Sequence, residues 1–382
     1  MGAAGIIYLD NNATTAVDPA VREAMLPFLG AQFGNPSSPY SLARSSAAAL
    51  VRAREQVAKL IDATPDEIVF TSCGTESNNA ALHAMAYADP KRRHLALSRV
   101  EHASVANYAK HLERLGFSLT WLEVDHNGQV KLDDLRAVVT DKTAGVSLMA
   151  ANNETGILLP IPEAASIARE RGALFHTDAV QAAGKIPVSA RGWGVDFLSL
   201  SGHKFHAAKG VGALYIRKDA PVSPWMLGGE QESGRRGGTE NVAAIAGLGV
   251  AAELAAKSLG FMAIRVRALR DLLEQEVTSR IPDVFVVGQD APRLPNTVLF
   301  MLGGLESEAL LALLDMDNIC CSSGSACASG AHEPSHVLAA MGLSEKPARA
   351  VLRVSLSRHS TAADVDRLVE ALVTSVLKLR AK

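Results

Sequence analysis

Ser199-Leu200-Ser201-Gly202-His203-Lys204 joins an apolar run to a hydroxyl, a glycine, an imidazole and an amine. Gly192 to Leu200 reads as a buried strand with Val195, Phe197, Leu198 and Leu200 as its apolar positions, and 211–216 reads as another. A lysine at the end of a core strand needs either a partner or a lowered pKa, and a lysine with a lowered pKa can form a Schiff base. The plainer reading is a lysine snorkelling at a strand end. The company of Lys204 favours the first: Asp178, Gln181, His102 and the Gly74-Thr75 turn all fall at similar strand ends.

Around this stretch the pattern alternates. Strands are expected at 67–71, 94–98, 119–124, 144–150 and 173–177, and helices at 20–29, 41–61, 104–115 and 162–171, with Gly74 opening one more. Such alternation implies an α/β fold with a mostly parallel sheet between helices, its ligand beyond the carboxyl ends of the strands. An alanine-rich helix from Val242 to about Leu259 leads into a second region. Strands there are expected at 283–288, 296–302 and 352–356, and helices at 307–314 and 364–379.

At 382 residues the chain is long enough for two domains. A hydrophobic fraction of 48%, a charged fraction of 20% and a net charge of -2 describe an ordinary globular protein, and argue against nucleic acid or anionic membrane as the main partner. The N-terminus lacks the basic start and apolar run of a signal peptide. The stretch from Val242 to Ala252 stops at Glu253, too short to cross a bilayer. Cytoplasmic residence is the expectation.

Each candidate site residue has a second reading. Gly74-Thr75-Glu76-Ser77 suits a single phosphate at a helix N-terminus, or is an ordinary N-cap. Asp178 could face the protonated ring nitrogen of pyridoxal phosphate, or pair with Lys204 to close the sheet. His102 could stack on a flat heterocycle and move protons, or cap a helix. Arg353, opposite the apolar positions of its strand, could take a substrate carboxylate, or sit on the surface of an edge strand. Three of the four cysteines, Cys320, Cys321 and Cys327, cluster with His332 and His336. A zinc-stabilised binding protein is one reading. Against it stand the missing Cys-x2-Cys knuckle and two adjacent cysteines that read as the end of a buried strand. Cys327, in the small-residue loop at about 320–332, instead reads as a thiol free to move and attack.

Together the motifs resemble the cysteine desulfurases of pyridoxal-phosphate fold type I, with their class V aminotransferase-like fold. The resemblance is carried by Tyr8-Leu-Asp-Asn-Asn-Ala-Thr-Thr15, Phe33-Gly-Asn-Pro-Ser-Ser38, Phe70-Thr-Ser-Cys-Gly-Thr-Glu-Ser77, Ala151-Asn-Asn-Glu-Thr-Gly156, His176-Thr-Asp-Ala-Val-Gln181, Ser201-Gly-His-Lys204, Arg236-Gly-Gly-Thr-Glu-Asn241 and Ser322-Ser-Gly-Ser-Ala-Cys327. The surroundings of Cys327 look most like the nitrogen-fixation branch, with the housekeeping iron-sulfur branch close behind.

The resemblance implies a large cofactor domain at 15–258 and a small domain built from 1–14 and 259–382. It implies that Lys204 holds the cofactor and shuttles the α-proton, while Asp178 faces the ring nitrogen, Gln181 the ring hydroxyl, and His102 stacks on the ring. Gly74, Thr75, Ser201 and His203 would bind the phosphate, with Thr239 supplied by the second subunit of a homodimer. Asn153 and Arg353 would hold the substrate carboxylate. Cys327 would take the sulfur of L-cysteine as a persulfide, leaving L-alanine, and pass it to an iron-sulfur scaffold or another acceptor. No resident metal is implied, although Cys327 could transiently ligate an iron-sulfur cluster. Many members carry a longer tail past the last helix, so scaffold docking is less firmly implied than the chemistry. An aminotransferase or a selenocysteine lyase would use the same Lys204 and Asp178.

Overall fold

A computed structural model describes residues 5–324, 335–344 and 349–381. In chain order its elements begin with β1 (Ile7–Tyr8), α1 (Pro19–Met25), α2 (Ser41–Leu60), β2 (Ile68–Thr71), α3 (Gly74–Tyr87), β3 (His94–Ser98), α4 (Ala103–Arg114) and β4 (Ser118–Leu122). They continue with α5 (Leu132–Val138), β5 (Thr143–Ser147), α6 (Ile161–Glu170), β6 (Leu174–Asp178), α7 (Ala190–Trp193), β7 (Phe197–Ser201) and β8 (Gly212–Ile216).

Seven of these strands form one sheet in the order β2-β8-β7-β6-β5-β3-β4. Pairing is parallel from β4 through β3, β5 and β6 to β7, and β8 runs antiparallel to both β7 and β2. The fold is thus the mixed α/β architecture read from the alternating pattern. Every residue of β2, β5, β7 and β8 is buried, as expected of strands covered on both faces. Across β6 and β7 the register sets Asp178 beside Ser199. The chain therefore leaves both strands at one edge of the sheet, with Lys204 in a short 3-10 turn just beyond β7.

One expected strand is shorter than read. Residues 190–193 form the helical turn α7, because Ser189 Oγ accepts from Gly192 N and Gly194 takes a left-handed φ of 67° that ends the turn. The apolar run masked these local signals.

The rest of the chain is arranged around a long helix. α8 (Val242–Phe261) continues through a π turn at Met262–Val266 into α9 (Arg267–Arg280). It is longer than the apolar stretch suggested, and Val242–Arg280 is long and apolar enough, by length and composition alone, to cross a membrane. Its first half nevertheless packs in the core: a Cβ on Gly249 would lie 2.6 Å from Ala53 Cα on α2, so glycine permits that close approach. Beyond α9, β9 (Val284–Val286), β10 (Thr297–Leu302), α10 (Ser307–Met316), β11 (Ile319–Cys320), α11 (His336–Ala340) and β12 (Val351–Ser355) precede a last helix, Ala362–Arg380. β10 lies between β9 and β12 in an antiparallel sheet. The N-terminal strand β1 pairs in parallel with β11, which brings Leu9 into one apolar core with residues from 262 to 376. The segment after β1 then crosses to the large sheet, where Thr15 N donates to His203 O at 2.9 Å.

Candidate functional site

The carboxyl ends of β6 and β7 and the N-termini of α3 and α4 converge with the 10–15 segment. Asp178 ends β6 and is buried. Its Oδ2 accepts from Asn78 Nδ2 at 2.7 Å and its Oδ1 from Val180 N at 3.0 Å. No ion pair involves it among the described residues, so the expected alternative of an Asp178–Lys204 pair is not the arrangement seen. The Asn78 carbonyl oxygen is buried without a partner. A buried carboxylate beside an unsatisfied amide oxygen is a polar recess that a protonated heterocyclic nitrogen suits.

Lys204 Nζ donates to Asn12 O at 2.6 Å and to Ala13 O at 2.8 Å. Gln181 Nε2 donates to the same Asn12 oxygen at 2.9 Å. Asn12 is thus the residue that joins Lys204 to Gln181, and in the sequence it stands only within the stretch Tyr8–Thr15, with no role of its own. Lys185, also unnoticed in the sequence, is a buried lysine whose amine donates to Gln181 Oε1 and Asn12 Oδ1.

His102 caps α4. Its Nδ1 accepts from Ser104 N at 3.1 Å, which leaves the ring proton on Nε2. Behind it lies Glu101, wholly buried, with Oε1 accepting from Ser98 Oγ and Met149 N and Oε2 unpartnered. Burial, reinforced by the charge of Asp178, pushes Glu101 up to about 8 against those two hydrogen bonds.

Gly74 opens the 14-residue helix α3, and a Cβ there would lie 2.9 Å from Val180 Cγ2 and 3.3 Å from Ser201 Cβ. Gly74 and Ser201 are therefore neighbours at a helix N-terminus, and Thr75 beside them is exposed. His203 meets Thr14 Oγ1 at 3.1 Å. Burial, with Lys204, Lys209 and Lys185 adding to it, lowers its pKa to about 4, so the ring is neutral and offers one N–H. Thr239 is exposed on the loop before α8, and no hydrogen bond joins it to Gly74, Thr75, Ser201 or His203 among the described residues. These residues fit pyridoxal phosphate: a helix N-terminus with hydroxyls for phosphate, a buried carboxylate for the ring nitrogen, and an amine held between them.

Arg353 corrects its own alternative reading. β12 is an edge strand, yet Arg353 is 1% exposed, because Asp10 and Ser322 bridge its open edge and Asp10, Asn153 and Gly324 surround the guanidinium. Its Nη2 pairs with Asp10 Oδ1 at 2.7 Å, and Nη1 donates to Asn153 O at 3.0 Å and Gly324 O at 2.8 Å. Its Nε is buried without an acceptor. Asn153, half-buried, thus meets Arg353 through its main chain. Glu154 next to it is buried, accepts from Ser335 Oγ, and is raised from its ordinary value by burial.

Cys327 and His332 lie outside the described residues. Among the described residues no group of three or more His, Cys, Asp or Glu side chains is gathered to hold a metal ion, and His336 Nε2 instead meets Glu101 O at 3.0 Å. Cys321 is pushed far up by burial, which makes it a poor nucleophile.

The aminotransferase class-V profile matches residues 7–368. The chain is 50% identical over 376 residues to a protein of Nostoc sp. named cysteine desulfurase, covering 98% of this chain and 94% of that one. It is 46% identical over 375 residues to cysteine desulfurase NifS of Azotobacter vinelandii, covering 98% and 93%. A solved structure titled NifS-like protein superposes with a TM-score of 0.91 at 36% identity, over 98% of this chain and 100% of that one.

Proposed function

The chain belongs to the aminotransferase class-V family and to its cysteine desulfurases, and on that footing we propose the division of labour by which its residues move sulfur from L-cysteine to Cys327. The observation that carries the proposal is that the buried Asp178 carboxylate, held by Asn78, and the Lys204 amine, held by Asn12, lie at the same ends of the neighbouring strands β6 and β7. Pyridoxal phosphate bound there supplies an electron sink for the bonds at the amino acid's α-carbon.

Lys204 would hold the cofactor and, with the amino acid bound, would move its α-proton. The main-chain oxygens of Asn12 and Ala13 hold the amine in place for both tasks. Asp178 keeps the ring nitrogen protonated, and Asn78 fixes the carboxylate that does so. His102, its proton on Nε2, stacks on the ring and can exchange a proton with the substrate thiol. Gly74, Thr75, Ser201 and neutral His203 take the phosphate. Arg353 Nε, the buried donor left over when both terminal nitrogens are engaged, takes the substrate carboxylate beside Asn153.

The Cys327 thiolate attacks the substrate sulfur. The S–S bond forms as the substrate's C–S bond breaks, and a proton goes to the carbon left behind. L-Cysteine and a thiol thereby become L-alanine and a persulfide, with no outside oxidant. Arg353 supports this placement, since it binds the main chain at Gly324, three residues before Cys327.

The sulfur's destination is iron-sulfur cluster assembly of the nitrogen-fixation kind. The identity with the Azotobacter NifS supports that branch. Two copies form the working unit. The exposed Leu29, Phe33 and Tyr40 give an apolar face that a second copy can cover, and exposed Thr239 is free to complete the other copy's phosphate site.

The deciding experiment adds L-cysteine to the cofactor-loaded protein and follows the visible band, alanine and persulfide together. Alanine in step with persulfide on Cys327 is the expected result. A keto acid in place of alanine would reassign the protein to amino transfer.

A further inference from the structure

Lys185 is 5% exposed, and a fully buried amine needs a reason. Its Nζ is 2.5 Å from Gln181 Oε1 and 3.0 Å from Asn12 Oδ1. An amine at these distances donates in either protonation state, so both side-chain amides are oriented by it. The Asn12 orientation is fixed a second time, because its Nδ2 donates to Thr297 Oγ1 at 2.9 Å and to Asn153 O at 3.2 Å. The Gln181 amide is left with Oε1 on Lys185 and Nε2 on Asn12 O, the oxygen that also accepts from Lys204 Nζ. One amide hydrogen of Gln181 remains. A chain of donors thus runs from Lys185 through Gln181 to Asn12, meeting there the hydrogen bond from Lys204. In such chains each bond polarises the next.

We infer that Lys185 is a positioning residue of the cofactor site, pinning and polarising the Gln181 amide so that its remaining N–H is a strong donor to the ring oxygen of the cofactor. The inference rests on pyridoxal phosphate occupying the recess with Gln181 facing its hydroxyl. The groups around Lys185 agree with it: the neutral amides of Asn12 and Gln181 accept from its amine, and the charged groups whose fields act on it, Lys204 and Arg353, are cations. Burial and those two cations hold its pKa well below that of an ordinary lysine. An amine kept only to pair a charge would have a carboxylate, and no ion pair of Lys185 occurs among the described residues.

The test is the pH midpoint of the visible band of the cofactor-loaded protein, in the wild type, Lys185→Met and Lys185→Gln. Weakening the donor to the ring oxygen makes the bound chromophore more basic, so Lys185→Met should raise the midpoint by about one pH unit, the size of one lost hydrogen bond. Lys185→Gln keeps N–H donors for Gln181 Oε1 and Asn12 Oδ1 and should recover at least half of that shift. In a Gln181→Leu background, Lys185→Met should move the midpoint no further. An unmoved midpoint in Lys185→Met overturns the inference, as does an equal shift in Lys185→Gln or an undiminished shift in the Gln181→Leu background. Should Lys185→Met not fold, Lys185→Ala carries the same comparison. Failure of the underlying reading looks different, since the wild type itself would then show no visible band.

Discussion

Arg353 binds Gly324 through a 2.8 Å hydrogen bond from Nη1, and the same nitrogen holds Asn153 O at 3.0 Å. One buried guanidinium therefore ties the start of the cysteine segment to the loop where the substrate carboxylate is proposed to sit. A lysine has neither the fork nor the spare Nε. Arg353→Lys should lower kcat/KM for L-cysteine by about 100-fold, equivalent to the roughly 2–3 kcal/mol of a lost charge-assisted contact. Steady-state alanine production measures it, and a loss under threefold would remove Arg353 from the site.

Cys327→Ala separates the cofactor from the sulfur. The variant should keep the cofactor and its visible band, respond spectrally to L-cysteine, and form no persulfide by mass spectrometry. Alanine release at the wild-type rate would show that another group accepts the sulfur.

Gly74→Ala probes the cradle at α3. The added methyl meets Val180 Cγ2 and Ser201 Cβ, crowding the helix N-terminus that is proposed to take the phosphate. The dissociation constant for pyridoxal phosphate should rise about tenfold, or 1.4 kcal/mol. Titration of the cofactor-free variant reads this directly. An unchanged constant with a lowered melting temperature would make Gly74 a packing residue alone.

Glu101 predicts a pH dependence of stability. Its folded-state pKa of about 8 lies above the unfolded carboxyl value, so the folded state binds the extra proton. The associated stability is full below the unfolded value of about 4.3 and is lost as pH rises to about 8. Urea unfolding of the wild type should weaken across that window. Glu101→Gln, neutral throughout, should lose about 1–3 kcal/mol less over the same range. Parallel curves for the two proteins would mean that Glu101 is charged in the fold.

The sheet was legible because short, largely apolar stretches alternate with helical ones and several end in a polar residue, as 174–178 ends in Asp178. The strand-end rule put Asp178, Ser201 and Lys204 at the ends of β6 and β7, where the structure has them, with Gln181 joined to Lys204 through Asn12. The contacts of Lys185 and Asn12 left no local trace. Their hydrogen bond spans 173 positions, and side-chain periodicity carries no information over such a separation. The burial of Arg353 escaped for a related reason: alternation along β12 said which way the side chain points but not that Asp10, Asn153 and Gly324 would surround it. At 190–193 the signal was present, in Ser189 and Gly194, but an apolar run was weighed more heavily than a cap.

The π turn at Met262–Val266 fits one more residue into its turn than an ordinary α-helix would. Each residue in a helix advances the side-chain direction by about 100°, so that single addition turns every position of α9 relative to α8. It lets a continuous rod present Ala244 to Ala255 to the large core beside α2 and Leu269, Leu273 and Val277 to the other core. Angular phase between the two halves of the protein is thereby written into five residues, and deleting one of them would swing Leu273 out of its socket without touching a single side chain of the catalytic recess.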